Sequence, residues 1–399
     1  MARTSATRSA GGKPASAWPF VLAVFVASRL LFLGAGALAH AFLPQAEPAG
    51  APLEPPGFLN YWAHWDGAWY AQIATEGYGA GAPASTAFFP LYPMLVRLGT
   101  ALGGGPALWG VAISLLATLF TLYFLYGIAE RLYDVRVARA ATLSLAFFPT
   151  AFFLNAVYTE ALFLVFTTGS VWALYTRRDL LLAGLMGGLA AATRNLGLLL
   201  LIPLLVEWYR NRREFGSGGL AGIVLVPAGL LAYGIFLAGR FGDPMISARQ
   251  QEEYWGRTFV SPAATMQQAW QTAVDGAGCF LRPVALFTGS SSVPSLEASN
   301  TLNLVFLALL LVLLGVGFVV LPPGLFLYSF FIMLLPILIP SPLFPLMSLP
   351  RFMLGVFPLF LVLGYLLSRS RPALLVWLVV SAGGGVALTA LFTTWRWVA

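Results

Sequence analysis

One aspartate lies among aromatic rings in the stretch from Tyr61 to Arg97, YWAHWDGAWYAQIATEGYGAGAPASTAFFPLYPMLVR. Asp66 has Tyr61, Trp62, His64, Trp65, Trp69 and Tyr70 as its neighbours in the chain. A lone carboxylate in such a setting is costly to bury and useful to keep. Further along, other polar residues stand at the ends of apolar runs: Glu160, Arg194, Asn195, Asp243, Gln250 and Arg351. One carboxylate plus arginines suits a reaction in which a hydroxyl is deprotonated and an anionic phosphate departs. The carboxylate is then the general base, a role worth roughly 10² to 10⁴-fold in rate. An arginine holds the departing phosphate by charge-assisted, bidentate contacts.

Other chemistries find no support in the residues. Lys13 is the only lysine, so there is no glycine-rich phosphate loop with its lysine and no nucleotide-driven pump. Cys279 is the only cysteine, which excludes an internal disulfide and a cysteine-based metal site. With His40 and His64 as the only histidines, little is left for a histidine-based one. His64 reads as a hydrogen-bonding wall of the site rather than a metal ligand. The glycines from Gly184 to Gly188 lie inside an apolar run, where small residues serve helix packing.

The elements that must position these residues follow from composition. With 59% hydrophobic and 9% charged residues and a mean hydropathy of +0.82, the 399-residue chain is far from a soluble domain. We expect an all-α polytopic membrane protein of about eleven spans, at about 20 residues each. Residues 1–17 read as a disordered cytoplasmic tail and 18–399 as a single transmembrane domain. The spans are expected at Trp18–Leu43, Leu108–Ile128, from Ala140 with an interruption at Pro149, a fourth ending at Arg177 and Arg178, Leu180–Thr193, Leu196–Tyr209, Leu220–Ala238, Thr301–Leu321, Leu325–Ile339, Phe352–Leu367 and Ala373–Thr393. The fifth and sixth are short, and should meet at Arg194 and Asn195 in a cavity where non-helical backbone is tolerated.

Two long outer loops remain, about 44–107 and 240–299. In the first, Trp62, Trp65, Trp69 and Ile73 recur at helical spacing, predicting an interfacial amphipathic helix; a second is expected around Gln250–Trp255. Arg3, Arg8, Lys13, Arg131, Arg136, Arg139, Arg177, Arg178, Arg210, Arg212, Arg213, Arg369 and Arg371 fall on the N-terminal side of this topology. That positive-inside bias puts the N-terminus in the cytoplasm and both long loops outside the plasma membrane. The net charge of +7 thus reflects topology and gives no reason to propose nucleic-acid binding.

Each residue also has a plainer role open to it. Asp66 could cap its helix or pair with Arg29, an arginine inside the first span that must snorkel, pair or face a polar cavity. Glu160 and Arg194 could pair with each other across two span ends. Asp243 precedes Pro244, a common turn opener. Arg351 could be an interfacial anchor, and the tryptophans and tyrosines around Asp66 an aromatic belt.

Five segments, in order, resemble the GPI mannosyltransferase family of the PIG-V type in its prokaryotic branch. They are HWDGAWYAQIATEGYG with AFFPLYPMLVR; FFPTAFFLNAVYTEALFL, Phe147 to Leu164; AATRNLGLLL, Ala191 to Leu200; FGDPMISARQQEEYW; and LPRFMLGVFPLF. The resemblance implies a GT-C glycosyltransferase fold with its active site on the outer face. It also implies transfer of mannose from a polyprenyl-phosphate mannose to a glycolipid acceptor, with inversion, without a nucleotide and without an obligatory metal or other cofactor. The family's essential aspartate falls on Asp66. Two positions depart from the pattern: His64 stands where a basic residue, usually arginine, is expected, and Thr159 replaces the commoner serine. On this reading Asp66 is catalytic, Arg351 and Arg194 hold the donor phosphate, and His64, Trp65, Trp69, Tyr70, Tyr158, Glu160, Asn195, Asp243 and Gln250 line the substrates. Two rival readings are a donor carrying arabinose or glucose, and a lipid or sugar transporter. The second would be expected to show paired inverted repeats, and no such internal symmetry is visible.

Overall fold

A computed structural model of the chain describes residues 17–47, 59–79, 83–342 and 344–398. The expected tail 1–17 lies outside these residues apart from Ala17, as does the segment 48–58 of the first outer loop. The described chain is helical throughout, with a single isolated β-bridge between Glu47 and Ser291 and no strand.

Five helices are long and apolar enough to cross a membrane: Trp18–Phe42, Pro106–Leu132, Gly219–Phe241, Val293–Val320 and Arg371–Thr393. The residues at their N-termini suit the first turn. Proline stands there in four of the five, where its missing N–H is one of the helix's orphans in any case. In the last of them, Ser370 also caps the first turn, accepting the Ala373 N–H at 3.3 Å.

Of the eleven expected spans, the other six are shorter or broken, for reasons that lie in the sequence. The third begins at Val135, where Asp134 accepts the N–H groups of Arg136 and Val137, and it stops at Ala146, well short of a bilayer's depth. The fourth is Glu160–Trp172. The fifth and sixth are Leu180–Thr193 and Leu201–Arg210, and the backbone between them is extended at Arg194. The ninth, Pro323–Leu338, has 16 residues. The tenth is not straight: Leu349–Gly355 meets Pro358–Leu367 at 88°, with Pro358 opening the second piece.

Glycine allows the tightest helix contact. Helix Leu180–Thr193 packs against Gly219–Leu225 so closely that a Cβ on Gly184 would strike the carbonyl oxygen of Gly222. Gly184→Ala is therefore expected to lose most of the folded protein on size-exclusion chromatography, whereas Gly239→Ala, with open space around it, should elute unchanged.

Both outer-loop helices differ from expectation. The first runs Asp66–Glu76 and Trp62 lies outside it, in a short 3₁₀ turn. Its buried residues are Gly67, Ala68, Tyr70, Ala71, Ile73 and Ala74, so the expected apolar stripe keeps only Ile73 inside the helix's buried face. The second runs Ile246–Glu253. Beyond it, the mixed polar stretch to Ser299 holds an unexpected helix, Pro262–Ala277, capped by Ser261 and packed on Val293–Val320. The long helix itself starts eight residues before the expected Thr301.

Arg29 takes none of the three expected routes. It is buried and donates to the carbonyls of Ala146 (2.8 Å) and Ala151 (2.9 Å) and to Asn155 Oδ1 (2.8 Å). The non-helical stretch after Ala146 leaves those carbonyls without helical partners, and the guanidinium satisfies them.

Candidate active site

Asp66 is placed by a backbone turn and a close contact. Trp65 adopts φ +56°, a conformation costly for a bulky residue, and this reverses the chain so that Asp66 opens its helix. A negative charge there is favoured by the helix dipole. Gly67 packs on the Val157–Tyr158 backbone and ring, and the Val157 N–H donates to the Trp62 carbonyl at 2.9 Å. The first outer segment is thus tied to the segment that precedes Glu160.

Four charges alternate in a row whose two ends, Asp66 and Arg194, both line the cavity. Asp66 Oδ2 accepts from Arg351 Nη1 at 2.7 Å, Arg351 Nε lies 3.4 Å from Glu160 Oε1, and the same oxygen accepts from Arg194 Nη2 at 2.8 Å. Exposure falls from 29% for the Asp66 side chain to 1% for Glu160. Glu160 is therefore flanked by two guanidiniums on Oε1, its Oε2 is buried without a hydrogen-bond partner, and Asp66 alone of the two carboxylates lines the cavity. Mutual attraction within such a row offsets part of the cost of taking these charges out of water. The Asp66–Arg29 pairing does not form; the plainer Glu160–Arg194 pairing does, as part of this ladder.

Tyrosines support the ladder without competing for protons. Tyr158 places its ring 5.3 Å from the Arg351 guanidinium carbon and donates its hydroxyl to the His64 carbonyl at 3.0 Å. Tyr70 shares a 3.3 Å hydrogen bond with Thr159 Oγ1. Burial pushes the Tyr70 hydroxyl up to about 12 and raises Tyr158 well above its ordinary value. Both stay neutral near pH 7 and cannot serve as the base.

Asp66 opens onto a cavity of about 1230 Å³, bounded also by Trp65, Trp69, Tyr70, Arg194, Asn195 and Arg351. One flank is apolar, built by Leu230, Leu231 and Ile235 of one helix and Ile332, Leu335 and Pro336 of another. Leu231 and Ile235 are 61% and 73% exposed, so this flank reaches the outer surface of the bundle between two apolar helices.

Two features of the site escape a reading of the sequence. The first is Arg257, brought in by the turn at Gly256, φ +63°. It makes no ion pair among the described residues, its Nε is buried without a partner, and it lies over the Phe352 ring at 5.8 Å. Burial lowers its pKa, and the neighbouring Arg351 lowers it further. An anion beside it would relieve both effects. The second is a pair of tryptophans after the last helix, Trp395 and Trp397. The signals were present as an arginine after a Trp-Gly pair and as a TWRW run past a span.

Of the residues expected to line the substrates, His64, Tyr158, Glu160, Asp243 and Gln250 do not line the cavity. His64 is buried behind it, with Nδ1 3.0 Å from the Phe392 carbonyl. Asp243 binds Arg249 at 2.7 Å and accepts the Met245 N–H, the turn role its proline suggested. Gln250 donates to Glu253 at 2.6 Å. Among the described residues, no group of three or more His, Cys, Asp or Glu side chains could hold a metal ion.

Comparison with known families bears on part of this geometry. Residues 85–232 match dolichyl-phosphate-mannose-protein mannosyltransferase. The matched stretch carries Tyr158, Glu160, Arg194 and Asn195, and leaves Asp66, Arg257 and Arg351 outside it. No curated protein matches the sequence. Among solved structures, ArnT from Cupriavidus metallidurans bound to undecaprenyl phosphate is similar at a TM-score of 0.41 and 13% identity, over 95% of this chain and 78% of that one. Its apo state gives 0.40 and 15%, over the same shares. The Archaeoglobus fulgidus oligosaccharyltransferase in complex with zinc and sulfate gives 0.42 and 13%, over 94% of this chain and 53% of that one.

Proposed function

We propose that the protein is a membrane-embedded inverting glycosyltransferase. It moves mannose from a polyprenyl-phosphate mannose to a hydroxyl of a glycolipid acceptor, at the periplasmic or cell-exterior face of the plasma membrane, with its N-terminus in the cytoplasm. The observation that carries this reading is one cavity holding a partly exposed carboxylate, an arginine without a carboxylate partner, and an apolar flank that reaches the bundle's surface. A ligand with an anionic head and a long apolar tail is complementary to that combination. The family matched over residues 85–232 names dolichyl-phosphate-mannose, a donor of the same chemical class.

In this mechanism Asp66 takes the proton of the acceptor hydroxyl as its oxygen attacks the anomeric carbon. The bond from that carbon to the phosphate oxygen breaks on the opposite face. Polyprenyl phosphate leaves with both its electrons and needs no proton, because cationic groups match its charge. Arg257 makes the direct contact, and Arg351 and Arg194, which line the same cavity, add their positive charge to it. Arg351 also fixes the Asp66 carboxylate through Oδ2, while the side chain stays 29% exposed in the cavity lining.

The test is transfer of radiolabelled mannose from polyprenyl-phosphate mannose by the purified protein, with a total lipid extract as acceptor. Label is expected in a new lipid. Label only from an arabinose or glucose donor would replace the sugar, and none from any donor would overturn the reading. Arg257→Ala should raise the donor KM by roughly 10- to 100-fold, the size of a lost charge-assisted contact. An unchanged donor KM would remove Arg257 from the phosphate.

A further inference from the structure

The residues that follow the last long helix fold back onto the site. Trp395 adopts φ +61° and stacks on the His64 ring at 3.8 Å between centroids, with its edge to Trp65 at 5.6 Å. Trp397 meets Trp65 edge to face at 5.0 Å. Between them Arg396 points away and is fully buried. It donates to the carbonyl oxygens of Pro44 (2.8 Å) and Gly289 (2.6 Å) and to Thr394 Oγ1 (2.7 Å). This segment is thus bolted to both outer loops, at the expense of a buried guanidinium and a strained backbone.

The three indoles so held all line the Asp66 cavity. The Nε1 atoms of Trp65 and Trp397 are buried with no hydrogen-bond partner. An aromatic belt turns its rings outward to lipid headgroups; here Trp395 and Trp397 pack edge to face on Trp65, and all three line the same cavity as Asp66. A flat aromatic face suits the C–H face of a pyranose ring, and an indole N–H suits its hydroxyls. Arg257 and Arg194 instead share Phe352, so the cationic and the indole-lined parts of the cavity rest on different residues.

We propose that Trp65, Trp395 and Trp397 form the subsite for the saccharide ring of the acceptor, held in place by Arg396. The proposal rests on the transferase reading for the word acceptor, and on the indole wall for the word saccharide.

The experiment uses the full chain in phosphatidylcholine nanodiscs, with methyl α-D-mannopyranoside and methyl β-D-glucopyranoside as probes in saturation-transfer NMR. Ring-proton signals are expected from at least one glycoside. They should fall roughly tenfold in Trp397→Leu and Trp395→Leu, the scale of one lost aromatic partner. Trp270→Leu, an exposed indole elsewhere, should keep them. Carbene footprinting of the unmodified protein decides the matter even where a variant fails to fold. Protection of residues 61–69 and 394–398 by glycoside is expected, and protection elsewhere alone overturns the proposal, as does equal signal in every variant. Donor transfer is read on the same preparations. Transfer with no glycoside signal removes the wall and keeps the enzyme; glycoside signal lost in the Trp variants, without transfer from any donor, removes the enzyme and keeps a saccharide site.

Discussion

Asp66→Asn is expected to lower transfer by roughly 10² to 10⁴-fold, the contribution of a positioned general base. Asparagine keeps an oxygen for the 2.7 Å bond from Arg351, so the geometry has little reason to change. What is lost is the capacity to take a proton. Arg351 retains Glu160 as a countercharge, and position 66 is at the more exposed end of the ladder. The melting temperature and the donor KM should therefore stay near those of the unmodified protein while single-turnover transfer collapses. Transfer at the original rate would take Asp66 out of the base role. A fall in both rate and melting temperature would instead mark it as a structural partner of Arg351.

Glu160→Gln should behave in the opposite way. The side chain is 1% exposed and serves two guanidiniums through one oxygen. Glutamine fills the same volume, but it leaves Arg194 and Arg351 close together with Asp66 as their nearest countercharge. Removing one member of a buried ion pair costs about 3–5 kcal/mol. The expected result is a large drop in melting temperature or the loss of monodisperse protein, with activity lost as a consequence. Adding Arg194→Met should recover part of the stability, since the two residues interact directly and their effects are not additive. A Glu160→Gln protein with unchanged melting temperature would refute the ladder as a stabilising device.

The helical class and the break at Arg194 are legible in the sequence, and the Asp66 stretch stands out in it, because each has a local cause. Apolar runs demand helices in a bilayer, and a carboxylate among tryptophans is rare enough to notice. What depends on long-range placement is not legible there. The pairing of Asp66 with Arg351 joins residues 285 positions apart, and no periodicity announces it. Arg257 shares the second outer loop with Arg240, Arg249 and Arg282, and its lack of a carboxylate partner is a property of three dimensions. Trp395 and Trp397 stand beyond the last span, where a membrane-based reading stops looking. The bend at Pro358 was overlooked because the run around it is apolar on both sides, and hydropathy carries no information about direction.

Glu160 is held by one arginine 34 positions ahead of it and another on the far side of the second outer loop. A chain made from its N-terminus presents these partners in sequence. Arg194 emerges soon after Glu160, while Arg351 follows by roughly ten to thirty seconds at about 5–20 residues per second. During that interval Arg194 is the charge that lets Glu160 enter an apolar environment at all. The pair that looks like a support for the finished site is thus also its provisional escort, and Asp66 acquires its orienting arginine only when nearly the whole bundle has been made.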